Sequence, residues 1–559
     1  MQIGDWTQLG FLILIVTLLT KPLGTYLYAV LHPVKTTRVE RFFYRVCGID
    51  LAVEQGWKEY LKSVLIFSAV SLLFTSVLLA LQGWLPLNPE NLGAPSWDLN
   101  LNIATAFMTN TDWQSYSGES TLSYFSQMAA LTVQNFASAA VGLSVAAALV
   151  RGIARTRGTT IGNFWVDLIR TTLYLFLPLS IIGATCLLAE GVPQNFRSYV
   201  TATTLEGAQQ TIAQGPVASQ EAIKLIGSNG GGFFNASAAH PYENPTPFSN
   251  FLQMVLILLI PLAQIFTFGR WVKNKKHAWC MLAALMVVFV SGATLCGYAE
   301  IRGNPEMEHL GLTGGNWEGK EQRIGIFGSA LYACLTTATS CGSVNSMHDS
   351  FTPFGGFIPM LNMELGSAIF GGVGSGLYSV LLFVLLALFI AGLIIGRTPE
   401  YLGKKIEAYD IKMTVLSILP YVVLVHLFTA ISCTSQWGLS SLNNTGPHGF
   451  SEMLYAFSSA AANNGSAFAG LSTNTVPYNL SLATAMLFGR FLIIAPVLAL
   501  AGSFVQKQVH PKTFPISSFL FIAILVGVIF LVGALTFLPA LTMGPILEHF
   551  VLFRGKLFP

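Results

Sequence analysis

The sequence predicts an all-α integral membrane protein of ten transmembrane helices, in which four pseudo-symmetric span–pore loop–span repeats surround one pore. Three observations predict it. Charged residues are 10% of the chain and hydrophobic residues 53%, whereas an ordinary soluble protein carries about 25% charge. Ten apolar runs approach the roughly 20 residues that a helix needs to cross a hydrocarbon core of about 30 Å. Small polar clusters then recur between those runs at nearly equal spacing.

The ten runs lie near 9–30, 62–83, 128–150, 168–190, 251–269, 279–298, 375–395, 413–433, 483–505 and 518–540. The first is read as a retained span, because Met1 to Leu9 has no Lys or Arg to form the basic region of a signal peptide. The loops alternate in charge. One side holds Lys35, Arg38, Arg41, Arg45 and Lys58, then Arg151, Arg155 and Arg157, then Arg270, Lys273, Lys275 and Lys276. It continues with Arg397, Lys404, Lys405 and Lys412, and ends with Lys507 and Lys512. On the other side, 84–127 and 434–482 contain no Lys or Arg at all. The positive-inside rule places the basic loops in the cytoplasm and both termini outside.

The long outer loops repeat. Each passes through a short helical stretch into a polar cluster and then into the next span. The clusters are Thr109–Trp113, Gly227–Gly232, Thr339–Ser343 and Ala462–Ser466. Their reference positions Asp112, Gly230, Gly342 and Gly465 fall 118, 112 and 123 residues apart, too long a period for a solenoid. The expected organisation is a first span with its loop (1–61), repeat 1 (62–150), and repeat 2 (168–298, pore loop 191–250). Repeat 3 follows (279–395, pore loop 299–350, broken helix 355–395), then repeat 4 (413–505) and a last span with the C-terminus (518–559).

The clusters carry the chemistry. A cation in the membrane must exchange its water for other oxygens, and backbone carbonyls do this without adding net charge. Aiming successive carbonyls at one axis requires backbone conformations that glycine adopts freely. Gly230, Gly342 and Gly465 occupy that place, and Asp112 replaces glycine in the first loop, where Asp tolerates left-handed geometry. The small residues before them, Asn110-Thr111, Ser228-Asn229, Ser340-Cys341 and Asn463-Asn464, are suited to bracing such loops. Short helices ahead of the clusters would turn their partly negative C-terminal ends toward the ion. Gln114 is placed at the pore mouth.

In repeat 3 the second span is interrupted by Gly366, Gly371, Gly372, Gly374 and Gly376. A broken helix lying beneath the filter is expected, with Glu364 facing a cavity; close helix packing by small residues is the plainer alternative. Ionisable residues at membrane depth are functional candidates. Arg490 and His426 lie within spans, and His348 and Asp349 follow the third cluster. His426 reads as an interior histidine with its bonds satisfied, and Arg490 as either packing on loop carbonyls or setting the field on an ion path. Lys21 reads as a snorkelling side chain, and Glu119 and Glu452 as solvated loop charges.

Several classes have no support. The seven cysteines form no C-x-x-C pair, so neither a disulfide framework nor a zinc site is expected. Basic residues are not interleaved with aromatics as in nucleic-acid binders. No nucleotide-binding G-x-x-x-x-G-K-[ST] loop or Asp-Lys-Thr-Gly phosphorylation motif occurs, so this chain binds no nucleotide by that route.

Specific stretches resemble the potassium-binding A subunits of bacterial Kdp potassium-transporting ATPases, within the superfamily of K⁺ transporters. They are NTDWQSYSGE (110–119), GGGFFN (230–235), TSCG (339–342), FGGVGSG (370–376) and GRTPEYLGKK (396–405). The resemblance covers nearly the whole chain. It implies a K⁺ filter at Asn110–Asp112, Ser228–Gly230, Ser340–Gly342 and Asn463–Gly465. It also implies a bacterial inner-membrane location and a complex with a P-type ATPase subunit (KdpB) and the subunits KdpC and KdpF, in contact with membrane lipid. K⁺ would enter from outside and pass through a tunnel to the ATPase subunit. The family pattern has Asn where Asp112 stands, so an extra negative charge is expected at the filter entrance. The alternatives are a K⁺/Na⁺ channel-like transporter driven by membrane potential, with a cytoplasmic regulatory subunit, and an intramembrane enzyme built on His348, Asp349 or Cys341.

Overall fold

The computed structural model describes residues 1–32, 36–366, 368–510 and 515–555. Lys35 and Lys512, counted above among the basic loop residues, lie outside the described residues. Among the described residues, ten helices are long and apolar enough to cross a membrane. Spans 1 to 5 are Ile3–Leu31, Trp57–Ala80, Ser126–Ala154, Phe164–Ala189 and Pro247–Trp271. Spans 6 to 10 are Lys275–His309, Ser375–Ile395, Ala408–Thr434, Val476–Gln506 and Phe519–Leu552. All ten runs read from the sequence are there; most are extended at one or both ends, span 7 has the same bounds, and span 2 ends three residues earlier than its run.

Burial sorts the spans into two shells. Spans 3 and 5 are each 89% buried along their most apolar stretch, and spans 7 and 9 are 67% and 61% buried. Spans 2, 4 and 8 are 33%, 28% and 33% buried, span 6 is 50%, and spans 1 and 10 are each 28%. The second span of every repeat therefore lines the centre and the first faces outward. Such an outer face is stable only against hydrocarbon, since apolar area exposed to water costs about 25 cal/mol per Å². Span 1 packs along span 5, and span 10 lies against spans 6 and 7.

A short helix enters the bundle between the two spans of each repeat. These pore helices are Trp97–Met108, Val217–Ile226, Ile326–Ala338 and Gly446–Ala461. They are too short to span, and almost all of their residues are buried. Two features depart from a purely helical reading. The loop before pore helix 2 forms an antiparallel hairpin, Val200–Thr203 with Gln209–Ile212. The loop after span 7 forms a second, Glu400–Tyr401 with Lys404–Lys405. The second hairpin is pinned by Lys404, whose buried ammonium donates to the carbonyls of Gly152 (3.0 Å), Arg155 (2.5 Å) and Phe504 (2.7 Å), where spans 3 and 9 end. It thereby caps two helix C-termini at once.

In repeat 3 the second span comes in two pieces. The helix Pro353–Glu364 stops, residues 368–374 run as coil beneath the pore helices, and span 7 begins at Ser375. Phe370, Gly371 and Gly374 in the coil have φ of +59°, +60° and +79°, which no helix can contain.

Candidate ion-binding site

Each pore helix ends two residues before a predicted cluster: Met108 before Asn110, Ile226 before Ser228, Ala338 before Ser340, Ala461 before Asn463. The four loops then share one backbone. The first residue of each is left-handed, with φ of +63° at Asn110, +50° at Ser228, +47° at Ser340 and +52° at Asn463. So is the third, with φ of +53° at Asp112, +104° at Gly230, +86° at Gly342 and +96° at Gly465. The amide of the middle residue turns back to the pore helix, to the carbonyl five residues earlier. The four bonds are Thr111 to Ala106 (2.9 Å), Asn229 to Lys224 (2.8 Å), Cys341 to Thr336 (3.0 Å) and Asn464 to Ser459 (2.9 Å). With these amides spent on helix carbonyls, the loops have carbonyl oxygens left to offer. Asp112 holds the glycine-type conformation despite its β-carbon, so the first loop departs from the others in side chain and not in backbone.

The loops close into a ring. A β-carbon at Gly230 would lie 2.0 Å from the Cys341 carbonyl oxygen, at Gly342 2.1 Å from that of Asn464, and at Gly465 1.8 Å from that of Thr111. Loop 2 thus presses on loop 3, loop 3 on loop 4, and loop 4 on loop 1. A β-carbon at Gly231 would lie 2.0 Å from the Asp112 carbonyl oxygen, which joins loop 1 to loop 2. Glycine is required here by close approach as well as by torsion.

Buried amides brace the ring from behind. Asn110 Nδ2 donates to the Ser228 carbonyl (2.8 Å), and Asn110 Oδ1 accepts from Ser138 Oγ and Asn229 Nδ2, both at 2.9 Å. Asn463 Nδ2 donates to Thr111 Oγ1 (2.8 Å) and to the Met486 carbonyl (3.0 Å). Asn464 Nδ2 donates to the Thr336 carbonyl (3.1 Å). One oxygen of Asp112 accepts from Asn135 Nδ2, while Oδ1 is buried and has no partner. Cys341 is buried, with its thiol 4.0 Å from the Lys224 carbonyl.

Outside the ring opens a vestibule of about 660 Å³ lined by Asp112, Gln114, Glu119, Gly230, Gly342 and Gly465 among others. Gln114 bridges two loops at this mouth, donating to the Gly232 carbonyl (2.8 Å) and accepting from the Gly232 amide (3.2 Å). On the inner side, a small cavity of about 50 Å³ is lined by Asn463, Arg490, Tyr378, Ser375 and Gly366. Arg490 is 5% exposed and donates to the Ser138 carbonyl (3.1 Å). The carbonyl it binds belongs to span 3 and not to a loop, and its side chain lines the cavity.

The glycine coil of repeat 3 runs directly under the ring. A β-carbon at Gly372 would lie 3.5 Å from the Thr339 carbonyl and 3.7 Å from Ser228 Cβ. Gln264 of span 5 clamps the coil, donating to the Gly372 carbonyl (3.2 Å) and accepting from the Gly374 amide (2.8 Å). Gly371 donates to the Ala338 carbonyl (2.9 Å) at the end of pore helix 3. Gly374 and Gly376 have no room for a side chain, since a β-carbon would lie 2.0 Å from the Gly142 backbone and 1.8 Å from the Phe370 carbonyl respectively. Glu364 is buried at the end of the first half-helix, with Oε1 accepting from Ser458 Oγ (3.4 Å) and Oε2 without a partner.

Three residues named from the sequence take other places. His348 is buried and pairs with Tyr455 Oη (2.8 Å), which in turn meets Ser466 Oγ (2.9 Å) just past loop 4. His426 bonds the Val422 carbonyl (2.9 Å), as an interior histidine should. Glu452 is not a solvated charge: it is buried and accepts from Asn444 Nδ2 at 2.7 Å. Asp349, His448 and Glu452 bring ligand-type atoms within 4.8 Å of one another. Both nitrogens of His448 are already engaged, with Asp349 at 2.9 Å and Glu548 at 2.8 Å. Burial alone would lower the His448 pKa, but these two carboxylates hold it up at about 10. The cluster is an ion-pair network tying the last span to pore helix 4, and neither Cys341 nor His348 belongs to it.

Sequence reading missed the charges behind loop 2. Lys224 is fully buried in pore helix 2 and pairs with Glu221 (2.6 Å) and with Glu243. Glu243 also accepts from the Phe234 amide (3.0 Å), and Lys224 donates to Ser237 Oγ (3.1 Å). A second buried pair, Lys320 with Glu300 (2.7 Å), holds the start of the first half-helix, because Glu300 accepts from the Thr352 amide at 2.8 Å. The signal was present in the i, i+3 spacing of Glu221 and Lys224 within an apolar pore helix.

The family model of the potassium-transporting ATPase A subunit matches residues 10–550. The chain belongs to this family. It is 52% identical over 558 residues to the potassium-transporting ATPase potassium-binding subunit of Solibacter usitatus, covering 97% of each chain. It is 52% identical over 567 residues to the protein of the same description from Mesorhizobium japonicum, covering 100% of each. Among solved structures, the potassium transporter TrkH from Vibrio parahaemolyticus superimposes with a TM-score of 0.53 at 15% identity, over 90% of this chain and 100% of that one. That likeness shows a shared fold, and the family membership expected from the motifs stands.

Proposed function

We propose that this chain is the potassium-binding, non-catalytic subunit of an ATP-driven K⁺ uptake pump. K⁺ enters the outer vestibule, loses its water in the ring, and is held by carbonyls of Asn110–Asp112, Ser228–Gly230, Ser340–Gly342 and Asn463–Gly465. The observation that carries this is the shared backbone of four loops unlike in sequence, with the same two left-handed positions in each. Nothing in general protein stability calls for that, since each left-handed non-glycine residue costs of order 1–2 kcal/mol. A ring of ion ligands does call for it.

Below the ring, a cation meets the Arg490 guanidinium and the glycine coil. Like-charge repulsion in a low-dielectric cavity opposes straight passage inward. This fits a subunit that hands its ion sideways to another chain, a P-type ATPase subunit (KdpB) assembled with KdpC and KdpF. The glycine coil with Glu364 acts as the gate on that route. The basic loops face the cytoplasm of the bacterial inner membrane, and both termini face outside.

The reading is tested with the purified, reconstituted complex. K⁺ uptake into vesicles should require ATP, and an ion-bound structure should place K⁺ on the four-loop axis. Equal uptake without ATP would favour a channel-like transporter and overturn the pump. Ion density only at the Asp349–His448 network would remove the ring as the binding site.

A further inference from the structure

The basic segment between spans 1 and 2 folds back against the bundle. Its helix, Arg38–Val46, is capped by Thr37, whose hydroxyl accepts from the Glu40 amide (3.2 Å) while Glu40 Oε2 accepts from the Thr37 amide (3.0 Å). The Thr37 hydroxyl also meets the Tyr174 hydroxyl, and the Tyr26 hydroxyl donates to the Tyr174 carbonyl. Tyr26 lies five residues before the end of span 1, and Tyr174 lies ten after the start of span 4. At 1.5 Å per residue these are about 8 and 15 Å inside the two helix ends. The helix therefore starts beside the flanks of the spans and not beyond them.

Its faces divide cleanly. Glu40 and Tyr44 are buried, held by Arg170 at 2.9 and 3.2 Å. Val39, Phe42, Phe43 and Val46 are 54%, 63%, 37% and 68% exposed. Their i, i+3, i+4, i+7 spacing makes one apolar stripe. Leu14 and Leu18 on span 1 and Ile181 and Ile182 on span 4 are exposed as well, on the two spans beside which the helix starts. Arg38, Arg41 and Arg45 are exposed on the same short helix. Among the described residues no carboxylate lies within ion-pair distance of these three. Behind the helix a cavity of about 710 Å³ is lined by Arg41, Arg151, Arg155 and Arg170. The last three are spent on Asp167 (2.6 Å), Glu54 (2.7 Å) and Glu40 (2.9 Å), so Arg41 brings the uncompensated charge to its rim.

We propose that helix Arg38–Val46 is an interfacial anchor that seats an anionic phospholipid. The acyl chains lie along Val39, Phe42, Phe43 and Val46, and the phosphate is held by Arg38, Arg41 and Arg45. Charge complementarity selects this occupant: three guanidiniums without an ion-pair partner accompany an apolar stripe on a helix that starts beside the flanks of two spans. Guanidinium pairs with phosphate through parallel hydrogen bonds, and an amphipathic helix of this pattern lies in the headgroup plane.

The experiment uses the assembled complex in detergent, offered equal amounts of phosphatidylglycerol and phosphatidylcholine, with retained lipid counted by native mass spectrometry. The parent should retain phosphatidylglycerol in preference. Each basic residue at an anionic surface contributes about fivefold, so the combined R38Q, R41Q and R45Q variant should lose that preference by on the order of 100-fold. R45Q alone, the milder variant should the triple one fold poorly, should lose about fivefold. Phe42→Ser with Val46→Ser should lower retention of both lipids alike. The K⁺ titration should stay unchanged in all of them. A triple variant that keeps its phosphatidylglycerol preference overturns the proposal. So does protection of 38–46 from hydrogen exchange by a protein subunit in delipidated complex, which would make the face a subunit interface.

Discussion

At the outer end of the pore, four stretches of unlike sequence adopt one backbone; beneath them, the repeats part company. Asn110–Asp112, Ser228–Gly230, Ser340–Gly342 and Asn463–Gly465 agree in torsion and in the amide that turns back to the pore helix. Below, among the described residues, only repeat 3 breaks its second span, and only repeat 4 places an arginine, Arg490, at the inner cavity. Oxygens around an ion must be equivalent in position, so the outer half conserves geometry and lets side chains vary. An exit needs a direction, so the inner half conserves no symmetry. The largest test of this contrast lies behind the ring. Lys224→Met would leave Glu221 and Glu243 buried without their cation, which costs about 3–5 kcal/mol. The thermal midpoint of the complex should drop sharply, with loop 2 the first region to lose protection from hydrogen exchange. An unchanged midpoint would mean that the triad is not what holds loop 2.

The next test strikes the ring itself. Gly230→Asp puts a β-carbon where the Cys341 carbonyl oxygen already is, 2.0 Å away, and forces a non-glycine residue to φ +104°. K⁺ affinity should fall by at least 100-fold, about 2.7 kcal/mol, and the preference for K⁺ over Rb⁺ should change. A variant with unaltered K⁺/Rb⁺ preference would take Gly230 out of the filter.

Much of this was legible in the sequence, and the reason is physical. The ten spans follow from hydropathy because hydrocarbon tolerates little else. The four loops follow from Gly230, Gly342 and Gly465, because close approach and left-handed torsion leave few other choices. The first loop was less legible, since Asp112 hides a glycine-type torsion under another side chain. Of the buried triad, only the i, i+3 spacing of Glu221 and Lys224 was legible, and Glu243 was not. A charge in a loop normally means solvent, and only the tertiary fold brings Glu243 back onto pore helix 2. The sequence also treated the whole glycine run of repeat 3 as one unit, while the structure splits it. Gly374 and Gly376 are packed against backbone, whereas a β-carbon at Gly372 would make only ordinary contacts on the side of the ring.

That split sharpens the test of the inner half. Alanine at Gly374 or Gly376 should disturb folding, which says nothing about gating. Gly372→Ala requires only that Ser375 Oγ, 2.8 Å from the added carbon, turn aside. ATP-driven uptake should fall roughly 3–10-fold, about 1 kcal/mol of barrier, while the K⁺ titration of the complex stays put. A weakened K⁺ affinity with normal turnover per bound ion would make the coil part of the binding ring and dissolve the contrast between the two halves.

The smallest expected effect isolates charge from shape. Asp112→Asn keeps the side-chain volume, and Asn enters left-handed torsion at least as readily as Asp, so the ring keeps its geometry. The bond from Asn135 survives, because the new amide oxygen can accept it. What is lost is an ionisable carboxyl at the vestibule floor: burial pushes its pKa up, and a cation bound beside it would favour the charged form. If that charge helps to hold the ion, K⁺ affinity should weaken about 3–10-fold, about 1 kcal/mol, with the K⁺/Rb⁺ ratio unchanged. Rigid carbonyl spacing sets that ratio, whereas a nearby carboxylate attracts both ions alike. A changed ratio would show that Asp112 shapes the ring. Unchanged affinity would show that the first loop contributes backbone alone, and that the ring is four-fold in charge as well as in torsion.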